Sequence, residues 1–243
     1  MKAPRTYNDI TQEWLEFIFT EYEKRTHPQA KVTLESYEMN DGCEKGEGYT
    51  SVLVKLDVKA VILNKEINND TYDPQEIEYH VLIKFGSQDP LEKGMHDSLR
   101  LNQRELLIYK HAIDELNAFQ FEKSNNEFPI HIPKFIYGKY SDKNYVLVLE
   151  NMKINYFSNN PKNKALNFEQ AKLALSHLAR LHAVSYVYNK DNNILDKFPS
   201  FNTDEQLRTI FQIGFNFSFD LVIDYLKTKP DMKPLLEKIK NAK

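Results

Sequence analysis

The sequence predicts an α+β fold: an antiparallel sheet of five strands with one inserted helix, followed by a helical part. Three observations carry this. Two early segments place apolar residues at every second position. Two short apolar runs flank a polar turn at residues 141–144. Beyond about residue 152 the apolar spacing becomes helical, so the chain divides into residues 1–152 and 153–243.

Ile10, Trp14, Leu15, Phe17, Ile18 and Tyr22 recur at helical spacing and predict an amphipathic helix over about residues 9–25, ended by His27-Pro28. Val32 and Leu34 open a strand that runs to Asn40-Asp41-Gly42. A tight loop follows, punctuated by Gly42, Gly46 and Gly48, three of the seven glycines in the chain. Val52, Val54, Leu56, Val58, Ala60 and Ile62 then point one way, and Lys55, Asp57 and Lys59 the other. After a polar turn from Asn64 to Pro74, Ile77, Tyr79, Val81 and Ile83 alternate against Leu82 and Lys84. Residues 86–97 are expected as loop and about 98–119 as one helix. Phe135–Tyr140 and Tyr145–Glu150 form the second hairpin. Asn167 is an N-cap for a helix from Phe168 to Tyr188, and Thr203-Asp204-Glu205-Gln206 opens another that ends near Lys229-Pro230. A short helix closes the chain.

Composition excludes several classes. The chain has 243 residues, 41% hydrophobic and 28% charged, with a formal net charge of −3. This balance supplies neither the basic face of a nucleic-acid binder nor a polybasic membrane-binding surface. The single cysteine, Cys43, cannot form an internal disulfide and is expected as a passive loop residue in a reducing compartment. No Cys/His cluster has zinc spacing. The N-terminus lacks the apolar core of a signal peptide, and no run is long enough to span a bilayer, so a cytoplasmic protein is expected.

The most informative stretch surrounds Glu105. Leu101, Glu105, Ile108, Tyr109, Ala112 and Leu116 share one helix face. A carboxylate in an apolar stripe is costly unless paired. Lys84, at the end of Val81-Leu82-Ile83-Lys84, is the candidate cation. A strand lysine held by a helix glutamate is how kinase-type sites grip ATP phosphates. The alternative is a solvated Lys84 and a Glu105 that reaches the helix edge. The glycines of Asp41–Gly48 would let backbone N–H groups approach phosphates, or would simply form a hairpin turn. Val146–Met152 lies where a nucleotide site would read adenine with backbone groups, or is a buried strand that ends. His182 shares a face with Ala171, Leu175 and Leu178 and is expected as a satisfied core residue. Phe211, Phe215, Phe217 and Phe219 are expected mainly as core.

The order of these pieces resembles the insect ecdysteroid-kinase-like family, within the choline-kinase-like and aminoglycoside-phosphotransferase-like group. The matching segments are Lys45-Gly46-Glu47-Gly48-Tyr49-Thr50-Ser51-Val52, Leu82-Ile83-Lys84, Glu105-Leu106-Leu107-Ile108-Tyr109, Val148-Leu149-Glu150-Asn151-Met152 and Leu178–Ser185. The resemblance implies a bilobal protein-kinase-like fold, ATP with Mg2+, and transfer of phosphate to a hydroxyl of a small-molecule substrate such as an ecdysteroid. It implies Gly46 and Gly48 over the phosphates, with Tyr49, Thr50 and Val52 beside the cofactor. It implies Lys84 on the phosphates with Glu105 as its partner, and Glu150, Asn151 and Met152 at the adenine. Family members carry a catalytic loop resembling His-Gly-Asp-x-Trp-x-x-Asn and a later metal-binding aspartate. This sequence has no His-Gly-Asp, and it stops at Lys243, about where that loop would be approached. The expectation is a fragment with an incomplete helical lobe and no catalytic residues of its own. The alternative is a non-catalytic nucleotide-binding or regulatory protein.

Overall fold

The computed structural model describes residues 2–42, 51–65, 72–124, 129–142, 144–155, 164–199 and 205–242. It divides into two units, Met1–Ile194 and Leu195–Lys243. The first contains a five-stranded antiparallel sheet in the order β1-β2-β3-β5-β4, built from β1 (Lys31–Asp41), β2 (Ser51–Lys65), β3 (Tyr72–Gly86), β4 (Phe135–Ser141) and β5 (Asn144–Glu150). With the helices below, this is the α+β, kinase-like fold that the sequence predicts.

One face of the sheet is covered by the amphipathic helix α1 (Gln12–Glu23), whose N-cap Thr11 accepts a hydrogen bond from the Trp14 N–H. Trp14, Leu15, Ile18 and Phe19 pack there against Val54, Leu56, Val58, Val81, Ile83, Val146 and Val148. Phe19 stacks on Tyr79 at a ring separation of 4.1 Å. The alternation in β2 and β3 matches this face: Val54 pairs with Ile83, and Leu56 with Val81. Gly42, at the exit of β1, has no room for a side chain, because a Cβ would lie 2.8 Å from the Leu53 carbonyl carbon.

The opposite face meets the segment between β3 and β4. This segment departs from the expected loop and single helix. Residues 90–98 form helix α2 (Pro90–Ser98), because Asp89 caps the Leu91 and Glu92 N–H groups and Pro90 opens the first turn. Arg100, in the left-handed region at φ 53°, breaks the chain before α3 (Leu101–Leu107). A π-turn, Ile108–Ala112, separates α3 from α4 (Ile113–Ser124). The π-turn shifts the helical phase. Ile108, expected on the buried stripe, is exposed, whereas Ala112 and Leu116 remain buried. α3 sits close to the sheet at Gly138, where an added Cβ would collide with the Leu106 side chain.

α5 (Phe168–Asp191) begins at the expected N-cap Asn167, which also forms a reciprocal capping box with Gln170. It joins the first unit through Tyr188, whose ring stands edge-on to Phe119 and whose hydroxyl donates to Glu115. Its His182 is exposed, not a core residue, and Leu173, Leu175 and Leu178 are exposed as well.

The second unit holds α7 (Glu205–Lys227) and α8 (Lys233–Ala242), which pack together and bury Leu226 and Leu236; the four-residue α6 (Ile194–Lys197) lies at the boundary between units. Phe211, Phe215 and Phe217 are exposed rather than core, because one short helix covers little of a 23-residue partner. Thr203 and Asp204 lie outside the described residues. No helix among the described residues is long and apolar enough to cross a membrane.

Candidate functional site

The register fixes which side chains share the sheet face turned toward α3. Lys84 pairs with Leu53 on β2 and with Leu147 on β5, so these three lie on one face; Tyr145, two residues before Leu147, lies there too. The face is opposite to α1, and Glu105 of α3 reaches onto it. Lys84 Nζ donates to Glu105 Oε1 at 2.7 Å and to Oε2 at 2.8 Å. The two side chains keep 27% and 30% of their surface exposed, so the pair is sheltered but open to one side. An ammonium has three donors, and the two Glu105 oxygens take two of them, leaving one for an anion.

Sequence reasoning missed Tyr145. Its hydroxyl donates to Glu105 Oε2 at 2.8 Å. Burial pushes the phenol far above its usual range, and the Glu105 charge pushes it further, so it stays a donor. The Tyr109 phenol is raised by the same two causes, burial first. Glu105 is therefore held from both sides, by Lys84 and by Tyr145. The signal was available, since Tyr145 and Leu147 alternate with Val146 and Val148 on a strand that neighbours the Lys84 strand.

A second polar cluster lies further along the same face. His80 Nδ1 is 2.6 Å from Asp57 Oδ1, and Lys55 Nζ is 2.7 Å from Asp57 Oδ2. Burial alone would raise the Asp57 carboxyl. The hydrogen bonds from Lys55 and His80 outweigh it and hold the group below its ordinary value.

The segment expected as the hinge, Glu150–Met152, lies at the end of β5. The Glu150 N–H donates to the Lys134 carbonyl at 2.9 Å, and the Asn151 N–H to the His80 carbonyl at 2.9 Å. Both amides are therefore engaged within the sheet. Asn151 is 1% exposed, and its side-chain oxygen accepts from the Lys153 N–H at 3.1 Å, shaping a 3-10 turn over Met152–Asn155. The Glu150 carboxylate accepts from the Lys134 N–H at 3.2 Å and from Asn155 Nδ2 at 3.3 Å. Met152 opens the turn, where an N–H has no partner within the helix.

Not every expected residue joins this constellation. Val52 pairs with Phe85 and so lies on the α1 face, 44% exposed, away from Lys84; Leu53 holds the position on the Lys84 face. Gly46, Gly48, Tyr49 and Thr50, with Cys43, lie outside the described residues. Two clefts of about 750 and 510 Å³ open near the hinge and the end of α1, and neither is lined by Lys84 or Glu105. Among the described residues no group of three or more His, Cys, Asp or Glu side chains could hold a metal ion.

A strand lysine chelated by a helix carboxylate, on the face of an antiparallel sheet that leads into a hinge, is the constellation of a kinase-like lobe. A model of the ecdysteroid kinase-like family matches residues 45–242. The chain belongs to this family. The match spans both the ion pair and the Glu150–Met152 segment, and it extends through α5 and α7. No curated protein and no solved structure matches the chain. Kinase-like membership makes small-molecule phosphoryl transfer the relevant class of activity, and kinases in general use ATP with Mg2+.

Proposed function

We propose that this ecdysteroid kinase-like chain binds ATP and forms the nucleotide-binding part of a kinase that phosphorylates a hydroxyl of a small, ecdysteroid-like molecule. The observation that carries the reading is the two-oxygen chelation of Lys84 Nζ by Glu105, locked by Tyr145. This fixes an ammonium at one place and leaves one of its three donors for an anion. A fixed cation stabilises a polyphosphate without the entropy cost of ordering a flexible lysine. Residues 1–152 grip the nucleotide, with Gly46 and Gly48 over the phosphates and Tyr49 and Thr50 beside them. Leu53 takes the part first expected of Val52. Adenine is read at the hinge, where Met152 offers a backbone donor while Glu150 and Asn151 hold the chain in shape. Residues 153–243 supply helical support, and the protein works in the cytoplasm.

ATP brings the transferable phosphoryl group, and Lys84 fits its phosphates. The described residues offer Mg2+ no cage of their own. The sequence contains no His-Gly-Asp, so nothing in it matches the aspartate that would accept the hydroxyl proton. That observation favours a second reading for the chain as it stands: a nucleotide-binding protein that does not itself transfer phosphate.

Calorimetry with Mg·ATP tests both. The expected result is binding that weakens at least about tenfold in Lys84→Ala, the scale of a lost charge-assisted contact. Absence of ATP binding by folded protein, or equal affinity in Lys84→Ala, would overturn the proposal. Labelled phosphate appearing on a hydroxysteroid would instead remove the second reading.

A further inference from the structure

The larger cleft, about 750 Å³, lies apart from the Lys84–Glu105 pair. Its walls come from the end of α1, the π-turn Ile108–Ala112, the segment 130–135 and the hinge. The volume is within the range of small-molecule pockets. Five basic side chains line it: Arg25, Lys110, His111, His131 and Lys134. Against them stand two acids, Asp114 and Glu150.

These groups differ in how far they are already engaged. Arg25 donates to the Phe135 carbonyl at 2.7 Å and to the Ile136 carbonyl, and its guanidinium lies 5.1 Å from the Tyr22 and Phe135 rings. Glu150 is held by the Lys134 N–H and Asn155. By contrast, the side chains of Lys110, His111, His131 and Lys134 make no ion pair or hydrogen bond among the described residues. The floor between them is apolar, with Ile113, Ile132, Phe135 and Met152. Basic groups left unpaired around an apolar floor match one ligand chemistry: an organic anion with a hydrophobic body. The π-turn adds an independent pointer. Such turns are strained insertions that concentrate at functional sites, and this one carries Lys110 and His111 into the cleft wall.

We infer that this cleft is a second binding site, apart from the Lys84–Glu105 pair and on the far side of the Glu150–Met152 segment it shares with the proposed adenine site, for an aromatic or alicyclic anion such as a phosphate or sulfonate ester. The ring system covers the apolar floor, and the anionic group is shared by Lys110 and Lys134 with the histidines beside them. The inference does not depend on nucleotide binding at Lys84.

The test uses the full chain and 2-naphthyl phosphate, with 2-naphthol as the uncharged counterpart, followed by calorimetry or ligand-observed NMR. The phosphate is expected to bind at least about tenfold more tightly than naphthol, since two charge contacts distinguish them. Lys110→Gln and Lys134→Gln should each weaken it about threefold to tenfold. Both side chains are exposed, so these variants keep the fold. Lys84→Ala should bind the probe as the wild type does. Equal binding of naphthol and its phosphate, or unchanged affinity in both lysine variants, would overturn the inference. Loss of binding in Lys84→Ala alone would place the probe in the nucleotide site and overturn it equally.

Discussion

A double-mutant cycle on Lys84 and Glu105 measures the pairing at the centre of the site. Lys84→Met removes the cation and leaves a carboxylate whose only other hydrogen bond among the described residues comes from the Tyr145 hydroxyl. Glu105→Gln keeps an acceptor for Tyr145 but removes the countercharge. Fully exposed pairs contribute about 0.2–1 kcal/mol, and breaking fully buried ones costs about 3–5 kcal/mol. At 27% and 30% side-chain exposure the pair lies between these limits. Each single change should therefore cost about 1–3 kcal/mol, with a coupling of about 1–2 kcal/mol recovered in the double variant. The assay is urea unfolding followed by fluorescence. The chain has one tryptophan, Trp14, which is 2% exposed in the core beneath the sheet, so its signal reports the unit that carries the pair. With a slope of about 2 kcal/mol per molar urea, each single variant shifts the midpoint by about 0.5–1.5 M. Additive single effects, with coupling below about 0.3 kcal/mol, would refute the argument that the two charges compensate each other.

Three further outcomes follow from the same coordinates. Tyr145→Phe deletes one hydrogen bond to a charged group and should lower stability by about 1.5–3 kcal/mol in the same urea assay. Gly42→Ala forces a Cβ to within 2.8 Å of the Leu53 backbone, which cannot rotate away, and should cost at least about 1–3 kcal/mol; an unfolding midpoint equal to wild type would contradict the close approach. Asp57 has a folded-state pKa below its unfolded value, so its contribution is present above the unfolded value near 4 and is lost as pH falls through the folded value. Asp57→Asn should therefore flatten the acid limb of stability below about pH 4 and leave no comparable change in slope near pH 8, checked by urea midpoints across pH.

The sheet was legible because each strand buries one face, and period-two alternation survives in the residue order. β2 and β3 run further than their apolar cores suggested, since hairpin partners continue to pair after the side chains turn polar. The connection between β3 and α3 was less legible. Asp89-Pro90 is a helix start, but Gly94 and the sparse apolar residues of Pro90–Ser98 concealed a helix that rests on capping more than on a buried stripe. The left-handed Arg100 and the π-turn leave no compositional trace, because neither carries the glycine that usually marks such a departure. The exposed aromatic residues of α7 and the exposed His182 show the converse. Helical spacing predicts which residues share a face, and burial of that face needs a partner element that the pattern does not specify.

The site shows how a strand's parity decides between neighbouring residues. The alternation of Val52, Val54 and Leu56 against Lys55 and Asp57 already assigns Val52 to the face that α1 covers. Lys84 has the opposite parity on β3, and antiparallel pairing carries that parity across to Leu53 and Leu147. A shift of one residue along a strand moves a side chain to the other side of the sheet. Val52 and Leu53 are therefore separated by the whole thickness of the sheet with respect to Lys84, although they adjoin in sequence. A ligand gripped by Lys84 meets Leu53. Leu53→Glu should accordingly disturb a nucleotide bound there far more than Val52→Glu, and ATP titrations of the two variants that ranked them the other way would show that the bound phosphates do not lie against the Lys84 face.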